Sequence, residues 1–251
     1  MDISFGNPSE NYQKAKVSIA KAMVNNPDIL VLPELWTTGY DLTRLEEIAD
    51  HNCMQTIKFL QDEAIKHQVN FVGGSVAGRV GKDVKNTLLI INKKGELVHQ
   101  YSKLHLFKLM DEHLYLKAGE EKGLFKLEDQ FFAGMICYDI RFPEWIRSHT
   151  VEGAEALFVV AEWPKPRLAH WRALLIARAI ENQCFVIACN RSGCDPNNEF
   201  AGHSMIINPW GEVIAEAGER EEIVSAEIEI NQVKEIRKLI PIFSDRKPEF
   251  Y

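Results

Sequence analysis

The sequence predicts a layered α/β fold, organised as one domain over residues 1–251. Three observations predict it. Apolar runs of strand length alternate with amphipathic stretches of helical period along the chain. No linker or low-complexity segment interrupts that alternation. Apolar residues fill 46% of 251 positions against 26% charged, which is enough for a sizeable core.

The elements follow in order. Ser9 is placed to cap a helix whose apolar face is Tyr12, Ala15, Ile19, Ala22 and Met23, with Pro27 just past its end. Residues 29–32 read as a buried strand broken by Pro33. Cys53, Ile57, Leu60 and Ala64 mark one face of a second helix. NFVGGSVAG is a short apolar strand, and TLLIINKKGELVHQY a hairpin in which Gly95 is free to take positive φ. DQFFAGMIC is a strand ending on Cys137, and ALFVVAEW is another buried strand. A helix over Leu168–Asn182 precedes the strand CFVIACN, the hairpin HSMIINPWGEVIAEAG follows, and EEIVSAEIEI alternates as a last strand should. The two hairpins share I-I-N-x-x-G-E at their corners, which suggests one in each of two sheets.

Composition excludes several classes. A formal charge of -7 argues against a general nucleic-acid binder, which needs a basic face to displace counterions. No run is long and apolar enough to span a bilayer. MDISFGNPSENYQ lacks the basic and apolar regions of a signal peptide, so the chain reads as cytoplasmic. Five cysteines in a chain of this length do not form a disulfide framework. Cys184 and Cys189 fall on opposite faces of one strand, and no C-x-x-C or H-E-x-x-H occurs, so no metal or other cofactor is expected.

Three segments carry candidate chemistry. Cys137 ends an apolar strand where Pro143 suits the first turn of a helix and Asp139 or a neighbour could cap it. A thiol near a helix N-terminus or a cation becomes a better nucleophile, because both favour the thiolate. A buried core cysteine reads equally well from this stretch. Glu34 follows a buried strand directly, as a solvated loop acid or as a base in a cleft. Lys103, in QYSKLHLF, either reaches water past an apolar stem or donates to an oxyanion. A thiol, a carboxylate and an ammonium together suit amide hydrolysis: attack, oxyanion stabilisation and proton delivery to the leaving nitrogen.

At these residues the sequence resembles a known family. LPELWTTGYD, YSKLHLFKLMDEH and ICYDIRFPEW occur in that order, each centred on one of the three candidates, with HWRALLIARAIENQ, CNRSG and GHSMIINPWGE beyond them. They are similar to the motifs of the nitrilase, or carbon–nitrogen hydrolase, superfamily, from near Asp2 to about Ile230. The resemblance implies a four-layer α-β-β-α sandwich with Glu34 as base, Lys103 as oxyanion partner and Cys137 as nucleophile. It implies that Glu112 supports the lysine and the substrate, where a solvated acid is the plainer alternative, and that the Tyr138 backbone N–H completes the oxyanion site. Within the superfamily, FKLMDEHLYLKAG and EWPKPRLAHWRALLIARAIENQ look most like the omega-amidase branch. That implies a small-molecule amide substrate, 2-oxoglutaramate or 2-oxosuccinamate, cleaved to the dicarboxylate and ammonia through a thioester and without a cofactor. Arg141, Trp163 and Arg167 are the implied substrate contacts, although Arg141 could equally pair with Glu144. A nitrilase, a carbamoylase or a deaminated-glutathione amidase would use the same trio, and a non-catalytic binding module would keep only the fold.

Two departures from the branch stand out. Glu162 replaces a neutral amide before Trp-Pro, and a carboxylate near an anionic substrate needs a cation to offset it. The first strand of the family normally begins several residues before Asp2, so a stub is expected there. Relatives commonly form homodimers through the helices after the nucleophile, here near residues 143–153 and Leu168–Asn182, with Trp145 and Trp171 as candidate anchors.

Overall fold

A computed structural model describes residues 1–250. Two sheets stack face to face between two pairs of helices. The first contains β1 (Ile29–Val31), β2 (Asp50–His51), β3 (Asn70–Val80), β4 (Asp83–Ile91) and β5 (Leu97–Ser102), in the order β1-β3-β4-β5 with β2 pairing on β3. The second contains β6 (Leu124–Leu127), β7 (Gln130–Ile136), β8 (Ala156–Ala161), β9 (Phe185–Asn190), β10 (Met205–Ile207) and β11 (Val213–Glu216), in the order β11-β10-β9-β8-β7-β6. The two hairpins with shared corners lie one in each sheet. No helix among the described residues is long and apolar enough to cross a membrane.

Side-chain alternation explains the four layers. On β4, Leu88 and Ile90 join Val72 against the second sheet, whereas Leu89 and Ile91 join Phe71 against the helices Pro8–Ala22 and Met54–His67. The helices Pro143–Thr150 and Leu168–Asn182 cover the outer face of the second sheet through Ile146, Trp171, Leu175 and Ala179. β7, β8 and β9 are parallel and buried on both faces, so they read as unbroken apolar runs.

Several expectations are corrected. The first helix is capped by Asn7, whose side chain accepts from the Glu10 N–H, with Pro8 opening the helix; Ser9 lies inside it. Phe142, whose side chain has no acceptor, precedes the helix at Pro143, and the Asp139 carboxylate accepts from the Ile136 N–H instead of capping that helix. NFVGGSVAG is only part of a long strand that turns at Gly81 into β4. β6 and the helix Gln232–Leu239 were not anticipated.

EEIVSAEIEI belongs to no strand. It runs with alternating exposure, and Ile228 and Ile230 pack on the core, but it finds no backbone edge to pair with. Side chains tether it instead: Glu222 accepts from the Gly218 N–H and Ser225 from Asn25. Trp171 is fully buried, donating to the His203 carbonyl, and Trp145 is half-buried, donating to the Tyr101 hydroxyl, so neither is an exposed anchor. At the N-terminus a single parallel bridge joins Asp2 to Ser192, the stub expected there.

One irregularity positions the functional cleft. The register of β3 on β4 shifts between Val72 and Ser75, where Gly74 takes φ +67°. The chain leaving β1 docks into that bulge. Ser75 N–H donates to the Pro33 carbonyl (3.1 Å), Trp36 N–H to the Ser75 carbonyl (3.1 Å), and Trp36 Nε1 to the Gly73 carbonyl (2.8 Å). A Cβ on Gly74 would stand 2.3 Å from the Pro33 carbonyl oxygen and 2.6 Å from the Trp36 ring. Gly74→Ala is therefore expected to cost more than about 2 kcal/mol of unfolding free energy. Denaturant unfolding checks this, and a cost below about 0.5 kcal/mol would show that the bulge can be rebuilt around a side chain.

Candidate active site

Glu34 emerges from that dock fully buried. Its Oε1 is approached by Lys103 Nζ (2.8 Å), Asn86 Nδ2 (2.8 Å) and the Tyr40 hydroxyl (3.1 Å). Its Oε2 accepts from the Glu162 backbone N–H (2.8 Å) at the end of β8. Lys103 continues the line of β5, with its N–H on the Asn86 carbonyl (2.9 Å), and its ammonium also reaches Glu112 Oε1 (2.6 Å). Glu112 opens the short helix Glu112–Tyr115 and its Oε2 accepts from the Phe107 N–H (2.6 Å). The Tyr40 hydroxyl bridges the two acids, 2.5 Å from Glu112 Oε1. Neither Lys103 nor Glu112 is solvated, so the plainer alternatives for both are excluded.

Cys137 closes the group from the second sheet. It is the first residue after β7, begins the 3₁₀ turn Cys137–Arg141, and has φ +46°. Asp139 holds this turn against the lysine segment. Its Oδ2 accepts from the Ile136 N–H (3.0 Å) and the Tyr101 hydroxyl (2.7 Å), and its Oδ1 contacts His105 Nδ1 (2.8 Å). Residues on both sides of Lys103 are thereby tied to residues on both sides of Cys137. The Tyr138 N–H belongs to the opening of the 3₁₀ turn, where amides have no partner within the helix.

The charges interact strongly. Burial lowers the Lys103 pKa, but Glu112 and Glu34 outweigh it and hold the ammonium well above its usual range. Burial raises the Glu112 carboxyl, with Lys103 opposing and Glu34 adding. Burial and then Glu34 drive the Cys137 thiol well above its usual value, and Lys103 only partly opposes them. This reverses the expectation of a lowered thiol pKa. The neighbouring cation is present, but it is shared between two carboxylates.

The expected substrate contacts lie beside this cleft. Phe107, Tyr138 and Phe142 pack in series, with ring centroids 4.8 and 5.2 Å apart. The Arg167 guanidinium covers Phe107 (5.4 Å), and that of Arg141 covers Trp163 (4.9 Å). Arg141 does not pair with Glu144; its Nη2 faces His170 Nδ1 at 3.3 Å. Trp163 is buried, with Nε1 donating to the Arg167 carbonyl (2.8 Å). Glu162 has its offsetting cation in Arg191, 2.6 Å away and equally buried.

The sequence reading missed Tyr40 and Asn86, and took Asp139 only as a candidate helix cap. Tyr40 and Asp139 lie inside quoted motifs, and Asn86 is a polar residue within the apolar run of β4. Each signal is local, whereas the partner that gives it meaning is far away in the chain.

The carbon–nitrogen hydrolase family model matches residues 1–238. The 2-oxoglutaramate amidase of Bacillus subtilis is 57% identical over 250 residues, covering 100% of this chain and 96% of that protein. The omega-amidase YafV of Escherichia coli K12 is 37% identical over 225 residues, covering 88% and 85%. Among solved structures, XC1258 of Xanthomonas campestris, a CN-hydrolase superfamily protein with an arsenic adduct in its active site, superposes with a TM-score of 0.91 at 30% identity, over 98% of this chain and 94% of that one. With a match of that extent in sequence and in backbone, the chain belongs to the carbon–nitrogen hydrolase family.

Proposed function

We propose that the protein is a cysteine-dependent omega-amidase that converts 2-oxoglutaramate or 2-oxosuccinamate to the 2-oxo dicarboxylate and ammonia. The observation that carries this reading is the sealed meeting of Glu34, Lys103 and Glu112 beside the Cys137 thiol. Similarity to the 2-oxoglutaramate amidase supports the substrate.

Cys137 attacks the amide carbonyl while Glu34 takes its proton. The oxyanion forms against the Lys103 ammonium and the Tyr138 N–H. Protonated Glu34 passes its proton to the nitrogen, ammonia leaves, and a thioester remains. Glu34 then activates the water that hydrolyses it. Glu112 keeps the lysine charged and aimed. Arg141 and Arg167 take the carboxylate at the far end of the substrate, since neither pairs with an acid among the described residues.

The protein acts as a homodimer in this reading. A surface groove of about 960 Å³ lies along the helices Pro143–Thr150 and Leu168–Asn182, with Val151, Ile180 and Trp210 exposed in it. A cytoplasmic location suits the free cysteines, since reducing compartments preserve thiols.

Four measurements test these statements. Cys137→Ala is expected to lower kcat on 2-oxoglutaramate at least about 10³-fold, and turnover within about tenfold of the parent would remove the thiol mechanism. Ammonia release from 2-oxoglutaramate and 2-oxosuccinamate should far exceed that from glutamine or a small nitrile. A preference for the nitrile would reassign the substrate. Because the Cys137 thiol is raised above its ordinary value of 9.0, the thiol is the form present at neutral pH. Thiolate absorbance, taken as the difference from Cys137→Ala, should grow only above that value, and a full signal at neutral pH would overturn the reading. Light scattering checks the dimer, with a monomeric mass as the contrary result.

A further inference from the structure

Glu162 directly follows β8, which lies between the strand that leads to Cys137 and the strand that ends at Asn190. Its main chain and side chain face different partners. The N–H donates to Glu34 Oε2, which receives this one hydrogen bond, while Lys103, Asn86 and Tyr40 crowd Oε1. A carboxylate oxygen has about two acceptor sites, so Oε2 is the oxygen with room for a proton.

The side chain runs into Arg191, Oε2 to Nη1 at 2.6 Å, with both groups sealed from solvent. Arg191 is itself fixed. Its Nη2 donates to the carbonyls of Ile3 (2.7 Å) and Cys194 (3.0 Å), its N–H donates to the Ala161 carbonyl (2.9 Å), and its guanidinium covers Phe200 at 4.2 Å. Asp195 lies 3.8 Å from Nη1. On the other side, Asn190 Oδ1 accepts from the Trp163 N–H (2.6 Å). The peptide that serves Glu34 is therefore pinned before, at and after Glu162.

This arrangement is poor as a device for stability. Glu162 Oε1 and Arg191 Nε are buried without hydrogen-bond partners. A sealed ion pair with unmet groups is commonly no more stable than apolar packing in its place. Burial, opposed by Arg191, pushes the Glu162 carboxyl up to about 8, so a neutral side chain of the same reach fits the site near neutral pH.

We propose that Glu162 is a positioning residue for the base: its grip on Arg191 fixes the peptide whose N–H holds Glu34 Oε2, the oxygen that takes the Cys137 proton. This rests on Glu34 being the base. The test compares E162Q, which keeps the reach, with E162D, which keeps the carboxyl group and shortens the reach, and with R191K, which loses the planar fork. E162Q is expected to cost about threefold in kcat and E162D and R191K about thirtyfold, with KM on 2-oxoglutaramate within about twofold throughout. Alkylation of Cys137 by iodoacetamide should slow in parallel with kcat. Circular dichroism establishes that each variant is folded, and if E162D is not, R191K decides. The proposal is overturned if E162D or R191K stays within about threefold of the parent, if E162Q falls as far as E162D, or if the loss is in KM alone. E34Q run alongside separates the two readings. An active E34Q removes Glu34 as base, whereas an inactive E34Q with near-parental E162D and R191K removes only the role of Glu162.

Discussion

The Lys103 ammonium, buried between two carboxylates, is the constraint around which the cleft is organised. Taking a charge out of water costs several kcal/mol even after the protein relaxes, and three such groups meet here. Two carboxyl groups share one ammonium, so the ammonium alone cannot satisfy their oxygens and directed hydrogen bonds must serve the rest. The fold supplies them from far-apart places: Asn86 from the middle of β4, Tyr40 from the loop after β1, the Glu162 amide from the second sheet and the Phe107 amide from the loop before Glu112. No single element could satisfy this cluster. The face-to-face packing of the two sheets is what brings the donors within reach.

Two of the non-glycine residues with positive φ lie where the reacting groups are delivered. Leu35, directly after Glu34, has φ +41°, and Cys137 has φ +46°. Each left-handed conformation costs on the order of 1–2 kcal/mol in a residue with a side chain. Both are held by contacts that a relaxed backbone would lose. The Leu35 N–H donates to Ser75 Oγ beside the glycine bulge, and the Cys137 turn is gripped by Asp139. The strain turns each functional side chain off its strand and into the cleft instead of along the sheet.

Much of the architecture was legible because it is written in period and composition. The helix Leu168–Asn182 and the buried run of β8 follow from apolar spacing alone. What failed needed a partner that no local pattern names. EEIVSAEIEI alternates as a strand does, yet a strand also requires a free edge. Trp171 offered an aromatic side chain that suits an interface or a core, and the carbonyl of His203 settles it in the core. The site was legible in a different way. Glu34, Lys103 and Cys137 each looked ordinary in isolation, and only their shared resemblance to family motifs singled them out. The sign of the thiol shift lay beyond the sequence, because it depends first on how deeply Cys137 is buried and then on the nearness of Glu34, which Lys103 only partly opposes.

A neutral resting thiol is compatible with the proposed mechanism for an electrostatic reason. As the base, Glu34 enters the step as a carboxylate beside the Lys103 ammonium, while the Cys137 thiol, held well above its usual value, is neutral. When sulfur attacks and Glu34 takes the proton, the carboxylate loses its charge and the substrate oxygen gains one, so the net charge of the site is unchanged. Both negative positions lie against the same Lys103 ammonium, which already stands 2.8 Å from Glu34 Oε1. The step therefore transfers charge across a prepared cation and creates none in a medium that solvates charge poorly. A pre-formed thiolate would instead place a further anion beside that cation before any substrate had arrived, and the same burial that strengthens the transition state would oppose it.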